Sequence, residues 1–313
     1  MKNAKKYSYL VTGGAGFIGS TLAATLTNLG HRVRVLDNFS GGRTNAIDSA
    51  EILEGDIRDF KKCSDACKDI DFVIHLAALV SVPESVTNPR LCHEVNVTGT
   101  LNMLLAAKEA GARRFVLASS CAVYGDSPEF PKREDMLPNP KSPYAASKLA
   151  GEYYCSIFNA NYGLPTVALR YFNVFGPRQN PKSDYAAAVP KFITAFLKNE
   201  SPTIFGTGHQ TRDFVFVGDV VSANIKACER GQEALGKVVN IGSGKRSSIE
   251  DLAKEIKNRT QSSAEIRYAP ERAGDVKDSL ADITLAKRYL EIEAPTSLEK
   301  GLEETIAWYK TQR

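Results

Sequence analysis

Short runs of consecutive apolar residues alternate along this chain with longer stretches in which apolar positions recur every three or four residues. The runs at residues 7–11, 31–36, 51–53, 72–76, 115–118 and 166–169 are rich in β-branched and aromatic side chains. Unbroken apolar runs of this length predict strands of a parallel sheet buried on both faces. The stretches at 17–29, 60–68, 86–109 and 145–162 carry helical spacing and predict the intervening helices. The alternation predicts an α/β fold, a Rossmann-type doubly wound parallel sheet. After Arg170 the rhythm changes, and Gly176, Pro177, Pro181, Pro190, Pro202, Gly206 and Gly208 crowd the chain. That composition predicts a smaller, irregular C-terminal substrate lobe forming the second wall of a cleft. Residues 214–217 are expected to return to the main sheet, and 298–309 to form a final amphipathic helix.

Open sheets of this kind bind ligands beyond the carboxyl ends of their strands. The loops after Val11, Leu36, Leu76, Ala118 and Leu169 should therefore converge on one site. The first reads Val11-Thr12-Gly13-Gly14-Ala15-Gly16-Phe17-Ile18-Gly19. A glycine-rich turn between a strand and a helix N-terminus presents backbone N–H groups and a positive dipole end to an anion. Gly13 allows the tight turn, Gly16 the approach of a pyrophosphate, and Gly19 close packing of helix on sheet. About 20 residues on, Asp37 ends the second strand, where a carboxylate meets adenosine ribose hydroxyls. That charge repels a 2′-phosphate and selects NAD over NADP. Arg43 reads as a solvated loop residue.

Tyr144 and Lys148 open the helix after the fifth strand. Positions i and i+4 share a helix face, so phenol and ammonium point into one space. A nearby ammonium and a positive nicotinamide ring favour phenolate, which makes tyrosine a competent base. Ser120, at the end of the fifth strand, reaches the cleft floor to share a proton with substrate and phenol. By itself the spacing of the pair also fits a surface helix, and Ser120 a polar strand end.

Composition narrows the picture. Forty basic against 36 acidic residues leave a charge of +4, with no like-charge run resembling a nucleic-acid tail. No apolar run reaches the length of a membrane span. The six cysteines form no CxxC pair, and the four histidines show no metal-ligand spacing with them. The expectation is a cytoplasmic protein with reduced thiols and no metal.

Together these features resemble the extended short-chain dehydrogenase/reductase family, and within it the UDP-sugar 4-epimerases. The likeness runs through the glycine turn, Asp37, Asp56-Ile57, His75-Leu76-Ala77-Ala78, Asn96, Ser120, Tyr144, Lys148 and the segment from Arg170 to Gly176. It implies catalysis by Tyr144, Lys148 and Ser120. It implies NAD binding by Gly13, Gly16, Phe17, Ile18, Gly19, Asp37, Asn38, Ser40, Gly42, Asp56, Ile57, Leu76, Ala77, Ala78, Asn96, Tyr144, Lys148 and Phe172. For the sugar nucleotide it implies Ser81, Ser120, Cys121, Tyr144, Asn173, Val189, Lys191, Phe205, Arg212, Arg272, Asp275 and Ser279. Arg212 and Arg272 resemble the family's diphosphate arginines, whose guanidinium forks match phosphate oxygens. Ser279 stands where enzymes confined to glucose and galactose forms carry tyrosine, so it implies room for an acetamido group.

The implied reaction is NAD-dependent inversion at C4 of UDP-GlcNAc/UDP-GalNAc, and of UDP-Glc/UDP-Gal, through a transient 4-keto sugar. The cofactor domain is expected at 1–172 and 208–240, and the nucleotide-sugar lobe at 173–207 and 241–313. Helices 89–109 and 144–162 are expected to pair with their copies in a homodimer. Cys121 and Ala122 stand where the related dehydratases carry acids, which argues against water elimination. UDP-glucuronate 4-epimerisation remains an alternative, as does a non-catalytic NAD-binding sensor.

Overall fold

The computed structural model describes residues 5–41, 50–181, 188–271, 278–293 and 295–312. Its first six main-sheet strands are β1 (Ser8–Thr12), β2 (Arg32–Asp37), β3 (Glu51–Glu54), β4 (Phe72–His75), β5 (Arg114–Ser120) and β6 (Thr166–Tyr171). A seventh, β11 (Val238–Ile241), joins the edge of β6, and the order is β11-β6-β5-β4-β1-β2-β3. Every pairing in this sheet is parallel. The order reverses between β1 and β4, which is where doubly wound sheets open a ligand crevice.

Helices cover both faces, as continuously apolar strands require. On one face α1 (Phe17–Asn28), α8 (Val217–Glu229) and α10 (Thr284–Leu290) close a core that includes Leu22, Leu26, Val116, Val221 and Leu290. On the other, α2 (Phe60–Cys67), α5 (Gly99–Glu109) and α6 (Pro143–Asn161) bury Leu10, Met103, Leu104, Phe115 and Phe158. A third core belongs to the irregular lobe. There Phe175, Phe192, Phe196, Phe214, Phe216, Ile256 and Ile306 pack together. They come from β7 (Asn173–Phe175), α7 (Ala188–Leu197), β10 (Phe214–Phe216), α9 (Ile249–Thr260) and α11 (Leu298–Thr311).

Two sequence expectations are corrected. Residues 214–216 do not return to the main sheet; β10 pairs with β7 in a separate two-stranded sheet. Their aromatic side chains are drawn into the lobe core instead. The main-sheet place goes to β11, whose apolar run is interrupted by Asn240. That side chain accepts the Tyr124 hydroxyl at 2.7 Å and donates to the Lys132 and Asp282 carbonyls. The stretch at 86–109 is not one helix either. It divides into α3 (Val82–Thr87), α4 (Pro89–His93), a π turn at Glu94–Thr98, and α5. Pro89 has no N–H to continue α3, and Asn88 (φ −134°, ψ 65°) leaves helical geometry to cap α4 through the Leu91 N–H.

Candidate functional site

A cleft of about 860 Å³ opens at the carboxyl ends of the strands. The loops after β1, β2, β3, β4 and β6 reach it, and β5 reaches it with its own last residues, Ala118 to Ser120. Gly13, Gly16, Phe17, Ile18 and Gly19 line it together with Asp37, Asn38, Ser40, Asp56 and Ile57. Leu76, Ala77, Ala78, Ser81, Ser120, Tyr144, Lys148 and Phe172 complete the set of predicted residues in its walls.

The glycine turn has the geometry of a dinucleotide cradle. Gly13 sits at φ +68°, and a Cβ there would lie 2.8 Å from the Ala77 nitrogen. A Cβ on Gly19 would lie 2.2 Å from the Gly13 carbonyl oxygen, so only glycine lets α1 start this close to β1. On Gly16 a Cβ would meet just the Gly13 oxygen, at 3.2 Å, which leaves the backbone facing the cleft open. Asp37 is aimed by two backbone donors, the N–H groups of Ala15 (2.9 Å) and Phe39 (2.8 Å). Its carboxylate keeps further lone pairs for ribose hydroxyls. Asp56 is held by Arg58 and by Asn38, whose amide donates at 2.9 Å. The Arg58 guanidinium drives its carboxyl down to about 2. Ile57 is pinned because Gly99 lets α5 pack against it; a Cβ on Gly99 would lie 2.6 Å from its Cδ1. These residues fit a bound adenine dinucleotide.

The chemical end lies where β5 and α6 meet. Ser142 caps α6 through the Ala145 N–H, and the buried Ser85 hydroxyl accepts the Tyr144 N–H at 3.2 Å. The helix start that carries the phenol is therefore clamped from two sides. Burial pushes the phenol up to about 12, against a hydrogen bond with Ser120 that pulls it down. Lys148 is buried, donates to the Ala118 carbonyl at 2.9 Å, and lies 5.9 Å from the Tyr144 ring centre. Burial lowers its ammonium to about 8. On the chain's own groups, then, desolvation outweighs the Ser120 hydrogen bond at the phenol.

Several predicted residues stand elsewhere. Asn96 is behind the wall: its amide oxygen accepts the Leu79 N–H (2.8 Å), and its amide nitrogen donates to the Leu79 carbonyl and Ser147 Oγ. Its side chain thereby ties α6 to the loop at 77–81. The Val189 side chain is fully buried in the lobe core, with Lys191 half-buried on the same helix. Cys121 begins the turn after β5, and burial raises its thiol to about 12. Phe205 ends β8 (Thr203–Phe205), where its carbonyl accepts the Gln210 amide at 2.7 Å.

Asn173, Arg212 and Ser279 form a group of their own outside the cleft walls. Asn173 opens β7, and Arg212 lies in β9 (Thr211–Arg212). The Ser279 hydroxyl donates to Asn173 Oδ1 at 3.2 Å. Gly42, Arg43, Arg272 and Asp275 lie outside the described residues.

Sequence reasoning passed over Glu84 and Gln179, both in the cleft wall. Glu84 carried a readable signal, since Ser81-x-x-Glu84 has capping-box spacing and Ser81 Oγ accepts the Glu84 N–H. Gln179 carried none.

The sequence matches the NAD dependent epimerase/dehydratase family over residues 9–242. It is 41% identical to a putative UDP-glucose 4-epimerase of Methanocaldococcus jannaschii, over 96% of this chain and 98% of that protein. A UDP-N-acetylglucosamine 4-epimerase from Methanobrevibacter ruminantium, solved with UDP-N-acetylmuramic acid, is 39% identical. It superposes with a TM-score of 0.93 over 99% of this chain and 100% of its own. A UDP-glucuronic acid 4-epimerase from Bacillus cereus, solved with UDP-glucuronic acid and NAD, is 33% identical. It superposes with a TM-score of 0.88 over 98% of this chain and 100% of its own. A likeness this deep along nearly the whole length means that the chain belongs to the NAD dependent epimerase/dehydratase family, and the dinucleotide for which its glycine turn is shaped is NAD.

Proposed function

We propose that the protein is a UDP-sugar 4-epimerase that inverts C4 of UDP-GlcNAc and UDP-GalNAc, and also of UDP-Glc and UDP-Gal. The observation that carries the reading is the meeting of Ser120, Tyr144 and Lys148 at the chemical end of a cleft shaped for NAD. Bound NAD⁺ supplies a reversible hydride acceptor and a positive charge that favours the phenolate. Tyr144 takes the proton from the C4 hydroxyl and returns it after the 4-keto sugar has turned its other face. Ser120 shares that proton through its hydrogen bond with the phenol. Lys148, fixed on the Ala118 carbonyl, adds its charge from the helix face below.

The N-acetylated pair is favoured by the size of residue 279. The serine there is bonded to Asn173 and is much smaller than a tyrosine at the same position would be. Parallel assays of UDP-GlcNAc, UDP-Glc and UDP-GlcA test the reading. We expect turnover in the order given, with UDP-GlcA slowest. UDP-GlcA turned over fastest would move the protein to the glucuronate epimerases, and no reduction of bound nicotinamide by any UDP-sugar would make it a binding protein.

We further propose a homodimer in the cytoplasm. Tyr153 and Ile157 stand exposed one turn apart on α6, and Val86 is exposed on the adjoining α3. The described cysteines are all free, five of them buried, which suits a reducing compartment. Among the described residues no helix is long and apolar enough to cross a membrane. A monomeric mass at micromolar concentration in sedimentation would reject the dimer.

A further inference from the structure

The residue after Arg212 takes no part in the chemistry above, yet among the described residues of the lobe it makes a dense set of bonds. Asp213 is fully buried. Its Oδ1 accepts the Ser243 N–H at 2.6 Å and the Ser243 hydroxyl at 2.7 Å. Its Oδ2 accepts the N–H groups of Gly244 and Ala281, both at 3.0 Å. Its own N–H donates to Ser279 Oγ at 3.2 Å, and its carbonyl accepts the Asn173 N–H at 3.0 Å. All four partners of the carboxylate are donors, and only the ionised form accepts from all of them. The site is tight as well. A Cβ on Gly242 would lie 2.6 Å from the Ala281 Cβ and 3.0 Å from Asp213 Oδ2.

One carboxylate thus joins three segments distant in sequence: the β9–β10 corner with Arg212, the loop at 242–244, and the segment 279–281. The backbone ladders nearby are short. β9 meets β12 (Ser247–Ser248) over two residue pairs, and a single bridge joins Thr211 to Asp278. Ladders of that length do not fix a side chain to the tolerance recognition needs. A buried carboxylate with four short bonds does, because any shift of a segment leaves a buried polar group unpaired.

We propose that Asp213 is a positioning residue that holds Asn173, Arg212 and Ser279 in one constellation for the sugar nucleotide. The proposal rests on the reading of those three as substrate contacts. Asp213 itself is sealed from the cleft. It acts on substrate affinity and leaves the chemistry at Tyr144 and the hold on NAD alone.

The test uses the full-length holoenzyme with UDP-GlcNAc and UDP-Glc. Asp213→Asn keeps the shape but sets an NH₂ against backbone donors. We expect KM to rise about tenfold to a hundredfold, kcat to stay within about threefold, and NAD to be retained. Asp219→Asn serves as the comparison. That carboxylate binds the Thr296 N–H and hydroxyl, each at 2.9 Å, away from the constellation, and its loss should leave KM unchanged. Ser243→Ala removes one of the four donors and should raise KM about threefold, which keeps the test open if Asp213→Asn does not fold. A lowered melting temperature with KM unchanged, in either Asp213→Asn or Ser243→Ala, overturns the proposal. Arg212→Ala separates the two levels. If it leaves KM unchanged, the substrate reading fails; if it raises KM while the Asp213 and Ser243 variants do not, only the positioning role fails.

Discussion

The cofactor wall, which lines the cleft, and the proposed substrate wall outside that lining are held by different means. On the cofactor wall, β1 runs in register with β2 from Ser8–Arg32 to Thr12–Leu36, and with β4 from Tyr9–Phe72 to Thr12–His75. The glycine turn then starts from a ladder, its Gly13 N–H bonded to the Leu36 carbonyl. On the substrate wall the ladders span two or three residues, and side chains do the joining. Asp213 ties three segments, Thr211 ties to Asp278, and Ser279 ties to Asn173. A ladder shares position among many equivalent backbone bonds, so single side chains matter little unless they break its sterics. A side-chain hub concentrates position in one group, so small changes there propagate. The first wall should fail abruptly at a few glycines, and the second should fail by degrees.

The largest effect is expected at the chemical end of the cleft. Tyr144→Phe should cut turnover by about a thousandfold or more, the upper range for loss of a general base, while NAD stays bound. Near-full turnover in that variant would remove Tyr144 from the mechanism. Next comes the glycine turn. Gly13→Ala puts a Cβ 2.8 Å from the Ala77 nitrogen at φ +68°, a strain of roughly 1–3 kcal/mol. We expect NAD affinity to fall at least about tenfold, read by fluorescence titration of the apoprotein. A substitution of similar size on the other wall, Ser243→Ala, should leave that affinity unchanged. Equal losses from the two would erase the distinction between the walls.

The same distinction explains what was legible in the sequence. Six strands and the glycine turn were readable because a ladder buried on both faces demands unbroken apolar runs, and local composition records that demand. The seventh strand was not, because Asn240 interrupts its run to bond Tyr124, Lys132 and Asp282. Asn96 entered through the family resemblance alone, and no local pattern in the sequence shows that the fold bonds its amide to Leu79 and Ser147. The role of Asp213 was invisible because its partners lie 30 and 68 residues downstream. The types and spacing of the proposed catalytic residues were legible in the sequence, but the phenol's electrostatics were not. Desolvation is a property of the packed site, and on the chain's own groups it pushes Tyr144 up to about 12; the expected shift down relied on the ammonium together with the nicotinamide ring.

A smaller effect probes the size of the substrate wall. Ser279→Tyr should lower kcat/KM for UDP-GlcNAc about tenfold more than for UDP-Glc, because a phenol placed against Asn173 fills the space an acetamido group needs. Equal loss on the two substrates would show that residue 279 acts on the constellation as a whole, as Asp213 is argued to do, and not as a gate.

The last effect lies beneath the cofactor wall and concerns stability instead of turnover. His75 is buried between Thr12 Oγ1, 2.8 Å from Nδ1, and Thr100 Oγ1, 3.1 Å from Nε2. The Thr100 hydroxyl donates to the Asn96 carbonyl at 2.6 Å, so it accepts from His75 Nε2–H. Nδ1 must then accept the Thr12 hydroxyl, whose oxygen in turn accepts the Ala77 N–H at 3.2 Å. The bonds run in one direction from the cleft loop to Asn96, and they assign a neutral Nε2–H imidazole. Burial lowers its pKa from 6.5 to about 3. Between those values the unfolded chain binds the proton and the folded chain does not, so stability rises with pH there and is lost as pH falls from about 6.5 toward 3. The slope from this one group is at most about 1.4 kcal/mol per pH unit. His75→Gln keeps one donor and one acceptor but cannot take up the proton. Its melting temperature should be lower than wild type at pH 7, with the gap narrowing steadily toward pH 4. A gap that stays constant across that range would mean the imidazole takes up its proton as readily in the folded protein as in the unfolded chain, and the directional chain from Ala77 to Asn96 would have to be redrawn.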